Sequence, residues 1–178
     1  VYPPINEEFG DVILEVRNLT APKAFRNINL QVREGEVIGL AGLLGAGKTE
    51  LVQAIFGNHK VTDGEILIKG KPVKIKSPQQ AIKLGMGLVP DERRTLGLVM
   101  KFDIKDNTVL PSMKLFRKAG VFQDHKAEMK AAYEINEKMN LAYHSLWQNV
   151  KKLSGGNQQK IVIAKWMLRD TEIFLLDE

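Results

Sequence analysis

Eight residues, Gly42-Leu43-Leu44-Gly45-Ala46-Gly47-Lys48-Thr49, have the types and spacing to do chemistry. They satisfy G-x-x-x-x-G-K-[ST] without a mismatch. Gly45 and Gly47 let the backbone fold tightly, so that successive N–H groups converge, a geometry suited to phosphate oxygens. A helix beginning near Lys48 adds the positive end of its dipole. The Lys48 ammonium has the reach for β- and γ-phosphates, and the Thr49 hydroxyl is a ligand for Mg²⁺. Such a loop needs a strand before it and a helix after it. Val37-Ile38-Gly39-Leu40-Ala41 is an apolar run that predicts a buried strand. Leu51, Val52, Ile55 and Phe56 fall at helical spacing, with Gly57 as a stop.

Two other groupings stand near the end of the chain. Phe174-Leu175-Leu176 runs into the carboxylates Asp177 and Glu178. Acids at the end of a buried strand are expensive to desolvate, and a metal beside phosphates would offset that cost. Asp177 then accepts from a Mg²⁺-bound water, and Glu178 polarises the attacking water. Alone, the same residues read equally well as a strand entering a polar loop. In Leu153-Ser154-Gly155-Gly156-Asn157-Gln158-Gln159-Lys160, a serine and two glycines open a helix. That makes an anion-binding corner of free N–H groups, or an ordinary N-cap, since serine is a favoured capping residue.

The elements that would position these residues come in three stretches. The first is β-rich: Val12–Val16 and Ile28–Val32 read as strands, and Glu65–Ile75 as a hairpin turning at Gly70-Lys71-Pro72. From about Phe102 to Val150 the pattern is mostly helical. Within Asp124–Leu141, Met129, Ala132, Tyr133 and Met139 are expected on one core face, with Glu134 and Lys138 as an i,i+4 pair. The last stretch predicts a helix from Asn157 to about Arg169 and a strand over Ile173–Leu176. A β-rich start, a helical insert and returning strands make the fold α/β with a helical subdomain.

Composition narrows the class. A length of 178 residues suits one domain, and 44% apolar with 26% charged residues is the balance of a globular protein. No cysteine is present, which excludes disulfides and thiolate metal sites and fits a reducing compartment. No run approaches the roughly 20 apolar residues of a membrane span. Residues 1–10 carry no signal-peptide pattern and read as a linker or cut end. The net charge of +5 is spread over scattered lysines, which fits a solvated basic surface and no nucleic-acid partner.

The glycine loop, the Leu-Ser-Gly-Gly segment and the apolar Asp-Glu, in that order, resemble the ATP-binding cassette (ABC) ATPases. Ser154 stands 23 positions before Asp177, and the resemblance covers nearly the whole chain. The form Leu-Ser-Gly-Gly-Asn-Gln-Gln-Lys, with Gly87-Leu88-Val89-Pro90-Asp91-Glu92-Arg93-Arg94 and Gly97-Leu98-Val99, is similar to the second cassette of bacterial monosaccharide importers. The resemblance implies a P-loop NTPase-type core with an N-terminal antiparallel β subdomain and a helical insert over roughly 102–160. An incomplete cassette would span 11–178.

It further implies ATP and Mg²⁺ as cofactors. Two cassettes, in one polypeptide or as a dimer, close over two nucleotides, and Ser154, Gly155 and Gly156 touch the γ-phosphate held by the opposite glycine loop. The helical insert docks on membrane permease subunits at the cytoplasmic face of the cell membrane, and a periplasmic or extracellular sugar-binding protein acts indirectly. In the metal-sensing loop most cassettes carry glutamine, whereas this chain has Asp91, an acid that would alter metal affinity. Phe25 does not align as an adenine stack. The sequence stops at Glu178, before the family's switch histidine, and His59, His125 and His144 are too early for that role. The isolated segment is therefore expected to bind ATP far better than it turns it over. Alternatives are a non-catalytic cassette that gates its partner, a nucleoside importer, or a cassette acting on nucleic acid or ribosomes.

Overall fold

Alternation of apolar and polar residues makes Val12–Ala21 (β1) an interior strand of a four-stranded antiparallel sheet. The structure is a computed structural model and describes residues 8–118 and 121–177. Leu14 and Val16 point to the core, while Arg17 is exposed. At Asn18, with φ of +48°, the register slips against both neighbouring strands, and the inward set moves to Leu19 and Ala21. Strand side chains repeat every two residues, so one inserted residue is what keeps the second half of β1 facing inward.

Phe25–Arg33 (β2) pairs with β1 on one side. Lys48–Ile55 (α1) follows, burying Leu51, Val52, Ala54 and Ile55 as the helical spacing predicts. Asp63–Ile68 (β3) pairs with β1 on its other side, and Lys71–Val73 (β4) closes the sheet across a tight turn. Pro78–Lys83 (α2) leads into Met86–Val89 (β5).

The apolar run 37–41 does not form the expected strand. No ladder partner lies beside it among the described residues, and Val37 is 93% exposed, with Ile38 and Leu40 also open to water. Apolar content alone does not make a buried strand, because the backbone N–H and C=O groups must also be paired from the side.

The chain divides into two compact units, one ending at Gly87 and including Asp177, the other running from Leu88 to Leu176. In the second unit, Arg93–Gly97 forms a wide helical turn. Ile104–Val109 (α3) continues into a 3-10 segment, Leu110–Phe116. Arg117–Lys118 (β6) and Phe122–Gln123 (β7) make a short hairpin, followed by His125–Lys138 (α4) and Gly155–Met167 (α5). Ile173–Leu176 (β8) forms as predicted and pairs with β5. Helices α3, α4 and α5 pack on one another, with Ile104, Ala132, Ile161 and Val162 wholly buried.

The buried face of α4 differs from the expected one. It consists of Glu128, Ala132, Ile135 and Asn136, while Tyr133 is 53% exposed. Polar residues go inside here because each finds a partner. Asn136 donates to the Thr108 hydroxyl (3.1 Å), and Glu128 accepts from Lys105 (3.2 Å) and Gln123 (2.6 Å). Burial pushes the Glu128 carboxyl up, but hydrogen bonds from His125, Lys105 and Gln123 outweigh it and leave it below its ordinary value. On the exposed side Glu134 pairs with Lys130 at 3.8 Å, in place of the expected Lys138. Among the described residues no helix is long and apolar enough to cross a membrane.

Candidate functional site

The glycine loop is shaped by backbone conformations that few residues adopt. Gly45 and Gly47 sit at φ of +78° and +84°, in the left-handed region. Gly47 is doubly constrained, because a Cβ there would lie 2.5 Å from the Ala24 carbonyl oxygen. The loop closes on a turn from Ala46 N–H to the Leu43 carbonyl (3.0 Å), and α1 starts with Leu51 N–H donating to Gly47 (2.9 Å). The amides of Gly45, Gly47, Lys48 and Thr49 have no acceptor among the described residues. They lie at the positive end of α1, as an anion site requires. Lys48 folds back across the loop, its Nζ donating to the Gly42 carbonyl (2.7 Å). Leu43 and Leu44 are fully exposed, so these positions contribute backbone rather than side chain.

Asp177 joins the same unit. Its carboxylate is only 5% exposed, and its Oδ1 accepts from the Thr49 hydroxyl at 2.9 Å. Two residues 128 positions apart are thus brought into direct contact. Among the described residues no cluster of three histidines or acids gathers to hold a metal. One carboxylate and one hydroxyl beside a phosphate loop instead fit Mg²⁺, which keeps several waters and is shared between protein and phosphate oxygens. Glu178 lies outside the described residues.

The Leu-Ser-Gly-Gly segment belongs to the second unit. Ser154 is the N-cap of α5, its Oγ accepting from Asn157 N–H (3.4 Å), so the capping reading holds. Gln158, one turn on, is buried and donates to the carbonyls of Val150 (3.0 Å) and Leu153 (3.4 Å), fixing the approach to the helix. The amides of Gly155 and Gly156 take no acceptor among the described residues. Arg93 lies directly against this corner: a Cβ on Gly155 would fall 2.6 Å from its Nη2. The sequence offers Arg93 as part of the Gly87–Arg94 segment and gives it no role at this corner, because nothing local ties it to a glycine 62 positions away.

Asp91 is exposed, and its carbonyl accepts from Arg93 N–H (2.9 Å). It belongs to the second unit, whereas Thr49 and Asp177 belong to the first. Lys165, which periodicity did not single out, is buried in α5 and donates to the Gly97 carbonyl. Desolvation holds its ammonium down to about 8.

Comparison with known proteins identifies the family. The ABC transporter family profile matches residues 25–178. A ribose import ATP-binding protein from Lactococcus lactis subsp. cremoris is 44% identical over 99% of this chain and 36% of that relative. A ribose/galactose/methyl galactoside import ATP-binding protein, so named putatively, from Burkholderia lata is 42% identical over 98% of this chain and 34% of its own length. The chain thus spans about a third of the curated relatives it matches. Among solved structures, an ATP-binding cassette bound to ADP and Pi superposes with a TM-score of 0.75 at 24% identity, covering 93% of this chain and 74% of that one. A nucleotide-free cassette gives 0.74 at 19% identity, over 94% of this chain and 69% of its own. By sequence and by fold, this chain belongs to the ABC transporter family and is a nucleotide-binding cassette of it.

Proposed function

We propose that this chain is the second of two ATP-binding cassettes that power uptake of a monosaccharide. The observation that carries the reading is the coexistence of a glycine loop with free amides, a buried acid on Thr49, and a Leu-Ser-Gly-Gly-Asn-Gln-Gln-Lys corner. The 42–44% identity to proteins named for ribose and galactose import supports the sugar.

In this reading the backbone from Gly42 to Thr49 cradles the β- and γ-phosphates, and Lys48 swings from the Gly42 carbonyl to a phosphate oxygen. Thr49 and Asp177 would hold Mg²⁺, with Asp91 adjusting its affinity. The ion, when bound, neutralises charge on the phosphates. Glu178 orients and polarises the attacking water. Ser154, Gly155 and Gly156 close on the γ-phosphate of the opposite cassette, and the helical subdomain (roughly 102–160) docks on permease subunits. The cassette then works peripherally at the cytoplasmic face of the membrane, with a sugar-binding protein acting through the permease and no nucleic acid involved.

The full-length protein, reconstituted with its permease and sugar-binding protein, should hydrolyse ATP faster when a pentose or hexose is added. No sugar-dependent stimulation would defeat the reading, and stimulation by nucleosides alone would reassign the cargo. Asp91 motivates one second reading, a cassette that binds ATP but gates its partner. Glu178→Gln decides it: turnover unchanged by that substitution places catalysis at the other site.

A further inference from the structure

We propose that Arg93 is a phosphate-recognition residue of the Ser154 corner, supplying a positive charge that the opposite cassette's terminal phosphate meets on closure. This rests on the composite-site reading above and adds a residue to it.

The guanidinium is in an unusual place. Its Nη2 occupies the space beside Gly155 that a Cβ would need, 2.6 Å away, and its central carbon would be 3.5 Å away. That point is the N-terminus of α5, the positive end of the helix dipole, where a cation is disfavoured and an anion is favoured. Arg93 nevertheless has no carboxylate partner: none of the ion pairs among the described residues includes it. Its Nε is fully buried with no hydrogen-bond acceptor among the described residues. The neighbouring Glu92 does not neutralise it, since that carboxylate accepts from the Thr95 hydroxyl (2.6 Å). Among the described residues, a guanidinium, two amides without acceptors and a helix end therefore converge with no paired negative group.

The placement is built rather than incidental. Arg93 opens the wide turn Arg93–Gly97, and that turn is fastened to α5 at two further points. Gly97 sits so close to Val162 that a Cβ would be 3.0 Å from its Cγ2, and the Gly97 carbonyl accepts from Lys165. Arg93 is thus held at the first turn of α5 by contacts seven and ten residues further along it. A planar guanidinium is suited to two phosphate oxygens at once, which a cap serine alone is not.

The test uses the full-length two-cassette protein with its permease. Arg93→Met keeps length and apolar stem but removes the charge, and Arg93→Lys keeps charge without the fork. The readouts are kcat and KM for ATP, affinity of the resting protein for a fluorescent ATP analogue, and the thermal midpoint. Arg93→Met should leave the midpoint unchanged and the analogue affinity within about twofold of wild type, and lower kcat at least tenfold, on the scale of losing one preorganised phosphate contact. Arg93→Lys should recover part of the loss. Full turnover in Arg93→Met, equal impairment of both variants, or a loss that follows a lowered midpoint would overturn the proposal. Ser154→Ala separates this failure from that of the composite site. If Ser154→Ala loses turnover while Arg93→Met keeps it, only the Arg93 role fails. If both keep it, the composite site fails as well.

Discussion

The glycine loop and the Leu-Ser-Gly-Gly corner are both helix N-termini with free amides, yet they are held in opposite ways. The loop from Gly42 to Ala46 is exposed, and its shape comes from its own backbone: two left-handed glycines, one internal turn and one lysine folded across it. The run 37–41 before it forms no strand and has no ladder partner among the described residues. The corner at Ser154 is held from outside, by Gln158 anchored to Val150 and Leu153, by the Arg93 turn, and by α5 packing against α3 and α4. A site made by local geometry is legible as a short pattern and tolerates changes elsewhere. A site made by tertiary contacts shows its capping residues in the sequence, but not the distant partners that hold them.

The sharpest break between the two should come at Lys48. Lys48→Ala in the full-length protein should lower ATP turnover by on the order of 100-fold, as expected for losing a principal phosphate contact. It should barely move a urea unfolding midpoint, because among the described residues the partner of the ammonium is a single loop carbonyl. A fall in turnover of less than tenfold would mean that the loop binds phosphate without its lysine.

Ile161→Ala should do the reverse. This side chain is wholly buried in α5, and its truncation should cost about 2–5 kcal/mol of stability by denaturant titration. The corner should lose function only through unfolding, while the glycine loop keeps its nucleotide affinity. Parallel loss of affinity at the loop would show that the two sites are not held independently.

Lys165→Met sharpens the corner's energetics. The folded ammonium titrates near 8 against its ordinary 10.5, so the unfolded chain holds the proton more tightly. Stability should therefore rise as pH climbs from 8 to 10.5, and the cost of burying the charge is fully present below 8. Lys165→Met should remove that pH dependence and gain at most about 3 kcal/mol near neutrality, less the lost bond to Gly97. A flat wild-type profile over that window, measured by thermal denaturation, would contradict it.

Ser154→Ala should have a small effect on stability, about 1 kcal/mol for one lost N-cap, read from the same denaturant titrations. A much larger destabilisation would mark the serine as structural first.

What was legible in the sequence follows the same division. The glycine loop, α1, β1 to β3 and the final strand were readable because local spacing dictates them. The ABC fold was readable because three motifs keep their order. Val37–Ala41 was misread because hydropathy cannot report whether a ladder partner is present. The buried face of α4 was misread because Glu128 and Asn136 become core residues only through Lys105, Gln123 and Thr108. The place of Arg93 could not be read at all, since it depends on a missing side chain at Gly155.

The most direct test measures ATP affinity and ATP turnover together in the full-length protein carrying Ser154→Ala. Affinity should stay within about twofold of wild type while turnover falls at least tenfold, because in the proposed reading binding belongs to the glycine loops and hydrolysis needs the corner of the opposite cassette. Turnover that survives the substitution, or affinity that falls with it, would contradict the account.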